Sequence, residues 1–73
     1  MPAERDHRGK IVDWNDARGF GFISEVGAEG RTFFHIKDLE GAMRPSVRDE
    51  VSYVIGRRVD GRIAARGVRI VKA

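Results

Sequence analysis

A chain of 73 residues without cysteine can form neither a disulfide nor a thiolate metal site, and this composition is typical of a reducing compartment. The sequence has no apolar run of membrane-spanning length and no signal-peptide hydrophobic region, so we expect a cytoplasmic protein without a membrane partner. A chain this short forms one small domain, which buries only about 60% of the surface of its unfolded state.

Charge is unevenly distributed along the chain. Residues 1–50 carry eight Lys and Arg against ten Asp and Glu, a net charge of −2, whereas residues 51–73 carry six against one, a net charge of +5. A basic end favours a polyanionic partner, because positive charge raises both the encounter rate and the affinity for phosphates. A solvated basic edge strand would show the same pattern. Charge alone leaves both interpretations open.

Short β-rich segments bounded by turn residues recur along the sequence, and no stretch holds an apolar helical stripe for three turns. We predict five strands, at 10–14, 19–24, 31–36, 50–55 and 62–71, with a short helical turn at 36–40. Residues 1–8 are polar and mostly charged, so we expect a flexible tail there and one folded domain over 9–73. Five antiparallel strands in so short a chain favour an all-β barrel, because closure removes exposed edges.

The second predicted strand contains the segment RGFGFI at positions 18–23, in which Phe20 and Phe22 alternate with glycines. Alternation places the two rings on one face, and glycine on the other face cannot fill a core, which favours exposed rings. A purely structural core role for both rings is the alternative. Exposed rings stack unpaired bases at about 1–3 kcal/mol per base, while cations such as Lys10 and Arg18 follow the phosphates.

The third predicted strand contains TFFHI at positions 32–36, which places Phe33 and His35 on one face and Phe34 and Ile36 on the other. The core must be apolar, and His35 is the poorest core residue of the four. We therefore expect Phe34 and Ile36 to point inward, and Phe33 and His35 to point outward beside the rings of the second strand.

These two segments resemble the nucleic-acid-binding motifs of the cold-shock domain, a five-stranded antiparallel barrel of the OB type. The family's first motif has the form K-G-F-G-F-I, here 18–23, and its second the form V-F-V-H-F, here 32–36; the similarity extends over about 9–71. The resemblance implies a bacterial cold-shock-like protein that binds single-stranded RNA or DNA as an RNA chaperone or regulator. It implies no cofactor and no metal, and a monomer, although the sequence leaves a swapped dimer open.

The resemblance also implies binding residues, since the family's stacking positions fall on the two phenylalanines of the first motif and on Phe33 and His35. The loop between strands four and five borders the binding face in OB folds, and three arginines flank it here. Guanidinium groups pair with phosphates and stack on bases, so we expect these arginines to extend the surface. The predicted nucleic-acid-binding residues are Lys10, Trp14, Arg18, Phe20, Phe22, Phe33, His35, Arg57, Arg58 and Arg62.

The first strand departs from the family pattern K-W-F-N. Positions 12–15 contain Val-Asp-Trp-Asn, so an ungapped match places Asp13 at the usual tryptophan position. Simple alternation puts Trp14 on the side of Lys10, which favours a partly exposed, base-contacting ring, whereas a twist or bulge there would bury it. Two further stacking rings are missing: Ile36 replaces one phenylalanine, and Met43 or Arg44 is the nearest substitute for another in the long loop.

Two other functions stay open. One is a protein-interaction module, since a fold does not determine a function. The other is an excised nucleic-acid-binding module of a larger protein, because W-N-D-x-R-G-F-G-F-I looks like the cold-shock module that precedes a small membrane domain in some bacterial proteins. We do not expect an enzyme: His7 and His35 do not form a metal pair, and the serines have no evident base or orienting partner.

Overall fold

The computed structural model describes residues 7–25, 27, 29–41, 44–58 and 60–72. Its elements are β1 (His7–Asn15), β2 (Phe20–Glu25), β3 (Thr32–His35), a 3-10 helix (Ile36–Asp38), β4 (Glu50–Arg57) and β5 (Ile63–Lys72). The strands form one antiparallel sheet in the order β3-β2-β1-β4-β5. The five predicted strands and the short helical turn after the third are therefore confirmed.

The two edge strands, β3 and β5, approach each other and close the sheet into a barrel. Leu39 forms an isolated parallel bridge with Val68, and the amide of Glu40 donates to the carbonyl oxygen of Val68 at 2.7 Å. The amide of Ile36 donates to the carbonyl oxygen of Gly19 at 2.8 Å, which ties the end of β3 to the β1–β2 turn. The predicted OB-type barrel is confirmed.

All five strands contribute side chains to one apolar core. Its buried residues are Ile11, Ile23, Phe34, Val51, Tyr53, Ala65 and Val68. Phe34 points inward as predicted, but Ile36 is 41% exposed. The chain leaves β3 after His35 and enters the 3-10 helix, so the two-residue alternation ends before Ile36. The inward prediction for Ile36 is wrong for this reason.

β1 begins at His7, two residues before the domain boundary predicted at Gly9. His7 pairs with Tyr53 and Arg8 pairs with Ser52, so backbone hydrogen bonds to β4 order two residues that polarity had assigned to the tail. The rest of the predicted tail, 1–6, lies outside the described residues.

A β-bulge in β1 changes which side chains face the core. The β1–β2 register shifts between Ile11 and Asp13, so the alternation that begins at the strand's start is reversed beyond the bulge. Backbone hydrogen bonds hold Ile11 to the loop before β4: its amide donates to the carbonyl oxygen of Asp49 at 3.0 Å, and its carbonyl accepts from the amide of Arg48 at 2.8 Å. Beyond the bulge Asp13 points outward and Trp14 inward.

Tyr53 links the core to the first strand. Its hydroxyl donates to Oε1 of Glu25 at 3.3 Å, and its ring stacks on the His7 ring with centroids 5.6 Å apart. His7 Nδ1 lies 3.1 Å from the other carboxylate oxygen of Glu25. Burial and the negative charge of Glu25 raise the pKa of Tyr53 to about 12.

Candidate nucleic-acid interface

Two cross-strand rows run over the outer surface of β1, β2 and β3. One row consists of Asn15, Phe20 and His35, and the other of Asp13, Phe22 and Phe33. Residues directly opposite one another in a sheet share a face, so the three phenylalanines and the histidine form one surface, which we call the platform. All four platform side chains are half-buried, and none belongs to the buried core.

The platform rings contact one another. Phe20 and Phe33 stack with centroids 5.6 Å apart and planes at 28°. Phe22 meets both of them edge-on, at 6.4 Å from Phe20 and 5.9 Å from Phe33. Such aromatic pairs contribute about 0.5–1.5 kcal/mol each beyond the area they bury. The rings therefore hold one another in place, which lowers the entropy lost when a ligand orders them.

Two arginines lie beside the platform. The guanidinium carbon of Arg58 is 4.4 Å from the centroid of the Phe33 ring, and that of Arg18 is 5.9 Å from the Phe20 ring. Both distances fall within the range of cation–π attraction. Both side chains are exposed, so their positive charge faces solvent next to the aromatic surface.

His35 is held in a defined orientation by the 3-10 helix that follows it. The backbone amide of Lys37 donates to His35 Nδ1 at 3.1 Å, and the backbone amide of His35 donates to Oδ2 of Asp38 at 3.3 Å. An amide nitrogen can only donate, so Nδ1 is the acceptor and the neutral ring carries its proton on Nε2. The ring thus offers one N–H donor as well as an aromatic face.

A cleft of about 550 Å³ adjoins the platform at the β4–β5 loop. It is lined by His35, Lys37, Asp38, Arg58, Asp60 and Arg66. Arg66 Nε lies 3.0 Å from Oδ1 of Asp38, which neutralises that carboxylate. Lys37 and Arg66 are absent from the predicted set, although Lys37 stands two residues after His35 and Arg66 belongs to the basic end of the chain. Their position depends on how β5 closes against the 3-10 helix.

Three predicted basic residues lie at the periphery of the platform. Lys10 is exposed opposite Ser24, on the face of the platform and one row beyond it. Arg57, the last residue of β4, donates from Nη1 to the carbonyl oxygen of Gly61 in the β4–β5 loop at 2.9 Å. Arg62 lies 3.9 Å from Asp60 across the same loop. Among the described residues, the cation–π contacts to the platform rings come from Arg18 and Arg58 and not from these three residues.

Trp14 lies on the inner side of the sheet, which differs from the prediction that it shares a side with Lys10. Its ring stacks on buried Phe34 with centroids 5.4 Å apart and planes at 19°, and its indole N–H donates to Oδ1 of Asp16 at 3.3 Å. The residue opposite is Gly21, where an added Cβ would lie 2.9 Å from the indole ring. The bulge brings Trp14 to this side, and the ring remains half-buried at the end of the core.

The other missing stacking positions are not filled by new rings. Arg44, one of the two nearest substitutes in the long loop, pairs with Asp16 at 2.8 Å, while Met43 lies outside the described residues.

The described residues contain no group of three or more His, Cys, Asp or Glu side chains that could hold a metal ion. No described helix is both long and apolar enough to cross a membrane.

The fold is similar to that of a solved structure of cold-shock domains. The chain matches the structure of Drosophila Unr cold-shock domains CSD456 with a TM-score of 0.78 and 24% sequence identity, over 94% of this chain. This chain spans 28% of the length of that one. No protein-family model matches the sequence, and no curated protein matches it.

Proposed function

We propose that this chain, whose fold is that of a cold-shock domain, binds single-stranded RNA or DNA with little dependence on sequence. Because one fold serves many functions, the support comes from the surface rather than the barrel. The observation that carries the proposal is the platform: three phenylalanines and a histidine on one face, with Arg18 and Arg58 beside them.

Stacking supplies the first part of the binding energy. A half-exposed ring that receives an unpaired base contributes about 1–3 kcal/mol, and every base has a π-face, so the contact tolerates any sequence. Bases inside a duplex are already stacked on their neighbours and cannot lie flat on the platform. The platform therefore favours single strands over duplexes.

Polar groups around the platform supply the second part. Arg18, Arg58 and Lys10 are exposed cations that can follow the sugar–phosphate backbone as the bases stack. The Nε2–H group of His35 can donate to an acceptor on a stacked base. These interactions need neither catalysis nor a cofactor, and one chain carries all of them, so we propose a monomer.

The same preference supports a role as an RNA chaperone or regulator. A protein that binds unpaired strands but not paired ones shifts the equilibrium of RNA hairpins toward the open form by mass action. We propose that the chain acts in this way in a bacterial cytoplasm, where its RNA targets would be transcripts with weak secondary structure.

The experiment is a fluorescence-anisotropy titration of a labelled oligo-U, oligo-dT and a duplex of equal length. We expect the two single strands to bind at least about tenfold more tightly than the duplex. Phe33→Ala should weaken single-strand binding by about 1–3 kcal/mol, or roughly fivefold to 150-fold, while circular dichroism shows a retained barrel. Val71→Ala is the matched control, because Val71 is 42% exposed near the end of β5, away from the platform.

Equal affinity for the duplex, or unchanged affinity in folded Phe33→Ala, would refute the proposal. A wild-type protein that binds no oligonucleotide would refute it as well and would favour the protein-interaction module.

A further inference from the structure

Asp13 lies beside the platform, in line with two of its phenylalanines. It lies directly opposite Phe22 in the β1–β2 ladder, and Phe22 lies opposite Phe33, so the carboxylate continues the second row of the platform. Side chains opposite one another in a sheet have Cβ atoms about 4.5–5.5 Å apart. A base stacked on the Phe22 ring would therefore have its edge within reach of the Asp13 carboxylate.

Asp13 also differs from the other described aspartates in its hydrogen bonding. Each of those accepts a bond within the protein, while Asp13 is exposed and has no hydrogen-bond or ion-pair partner among the described residues. These bonds include those from Arg44 to Asp16 at 2.8 Å, from the His35 amide to Asp38 at 3.3 Å, from the Ser46 amide to Asp49 at 2.9 Å and from the Arg62 amide to Asp60 at 3.0 Å.

A negative charge in this position repels the phosphates of a bound strand. Hydrogen bonds from a base to the carboxylate would offset this repulsion. A carboxylate is an acceptor with two oxygens, and its strongest partners offer two adjacent N–H donors. Among the bases, only guanine presents such a pair, N1–H and the N2 amino group, on one edge. Cytosine and adenine place an acceptor nitrogen beside a single amino group, and uracil and thymine place the imino group between two carbonyls.

We propose that Asp13 is a specificity-determining residue that selects guanine at the base stacked on Phe22, through a two-point hydrogen bond to the guanine Watson–Crick edge. The assignment rests on the proposed single-strand binding and deepens it. The protein would tolerate any base at the other stacking positions and prefer guanine at this one.

The test compares labelled oligo-dT strands that carry one guanine, one hypoxanthine or no substitution at a central position. Hypoxanthine differs from guanine only by lacking the N2 amino group, so it removes one of the two donors. We expect one guanine to raise the affinity of wild-type protein about fivefold or more over oligo-dT, and hypoxanthine to lose most of this gain.

Asp13→Asn keeps the shape of the side chain but places an N–H group where the second acceptor was. This variant should lose the preference for guanine while binding oligo-dT as tightly as wild type or more tightly. Glu40→Gln removes the same charge outside both rows, where Glu40 pairs with Arg69 at 3.0 Å, and should keep the preference.

Two results would overturn the assignment of Asp13 and leave single-strand binding intact. One is wild-type protein that binds oligo-dT and guanine-containing strands equally well, and the other is a guanine preference that survives in Asp13→Asn. Absence of binding to every strand would overturn both the assignment and the proposed function.

Discussion

We predict that the folded barrel keeps its one tyrosine protonated to unusually high pH and becomes less stable as the hydroxyl ionises. Tyr53 is the only tyrosine of the chain, and its side chain is 1% exposed. Burial disfavours the charged phenolate, and the carboxylate of Glu25, which accepts the hydroxyl hydrogen bond, repels it. Together they raise the pKa of Tyr53 from 10.0 to about 12.

The sign and size of the effect follow from linkage. The folded protein keeps the phenol proton to a higher pH than the unfolded chain. The contribution of Tyr53 to the free energy of unfolding is therefore fully present below pH 10 and is lost between pH 10 and about 12. A pKa difference of this size corresponds to about 3 kcal/mol. A domain of this length has a free energy of unfolding of roughly 4–11 kcal/mol, so the loss is a large part of the total.

Near-ultraviolet phenolate absorbance measures this ionisation, and with a single tyrosine it reports Tyr53 alone. We expect the absorbance of wild-type protein to rise near pH 12, together with the loss of the β-sheet circular dichroism signal. In urea-unfolded protein the rise should occur near pH 10. Tyr53→Phe keeps the ring in the core and removes the titrating group. Between pH 10 and about 12, the free energy of unfolding of this variant should therefore fall by about 3 kcal/mol less than that of wild-type protein.

Two outcomes would contradict this account of Tyr53. One is a phenolate that forms near pH 10 while the barrel stays folded. The other is Tyr53→Phe protein that loses as much stability as wild type over the same pH interval.

Two further predictions concern the charges around the platform and the packing beneath it. With roughly three to four phosphates neutralised, the plot of log affinity for a single strand against log salt should have a slope of about −2 to −3. Arg58→Ala should make that slope shallower by about 0.7, with Val71→Ala unchanged, and a salt-independent affinity would contradict the charge contribution. Gly21→Ala places a Cβ 2.9 Å from the Trp14 ring and against the Asp13 carbonyl oxygen, so urea unfolding should show a loss of about 1–3 kcal/mol. A Gly21→Ala protein as stable as wild type would show that Trp14 does not pack on this glycine.

Local patterns were sufficient for the strands and for the outward side of the platform. Alternation between small and large residues in 18–23, and the position of the polar His35 within 32–36, assign faces without knowledge of any partner strand. The same alternation failed at Ile36, because a 3-10 helix replaced the strand, and at Trp14, because a bulge reversed the faces. Periodicity predicts faces only as long as the strand continues without a change of register.

The sequence by itself determined the barrel class, the two aromatic motifs and the basic end of the chain, because composition and two-residue periodicity are local properties. Only the tertiary structure decided that Arg58 lies over Phe33, that Arg66 pairs with Asp38, and that the bulge turns Asp13 outward. Each of these depends on contacts between residues distant in the chain. The bulge follows Ile11, whose backbone is hydrogen-bonded to the loop before β4. Beyond the bulge, Asp13 lies opposite Phe22 and therefore in line with the phenylalanines of the platform.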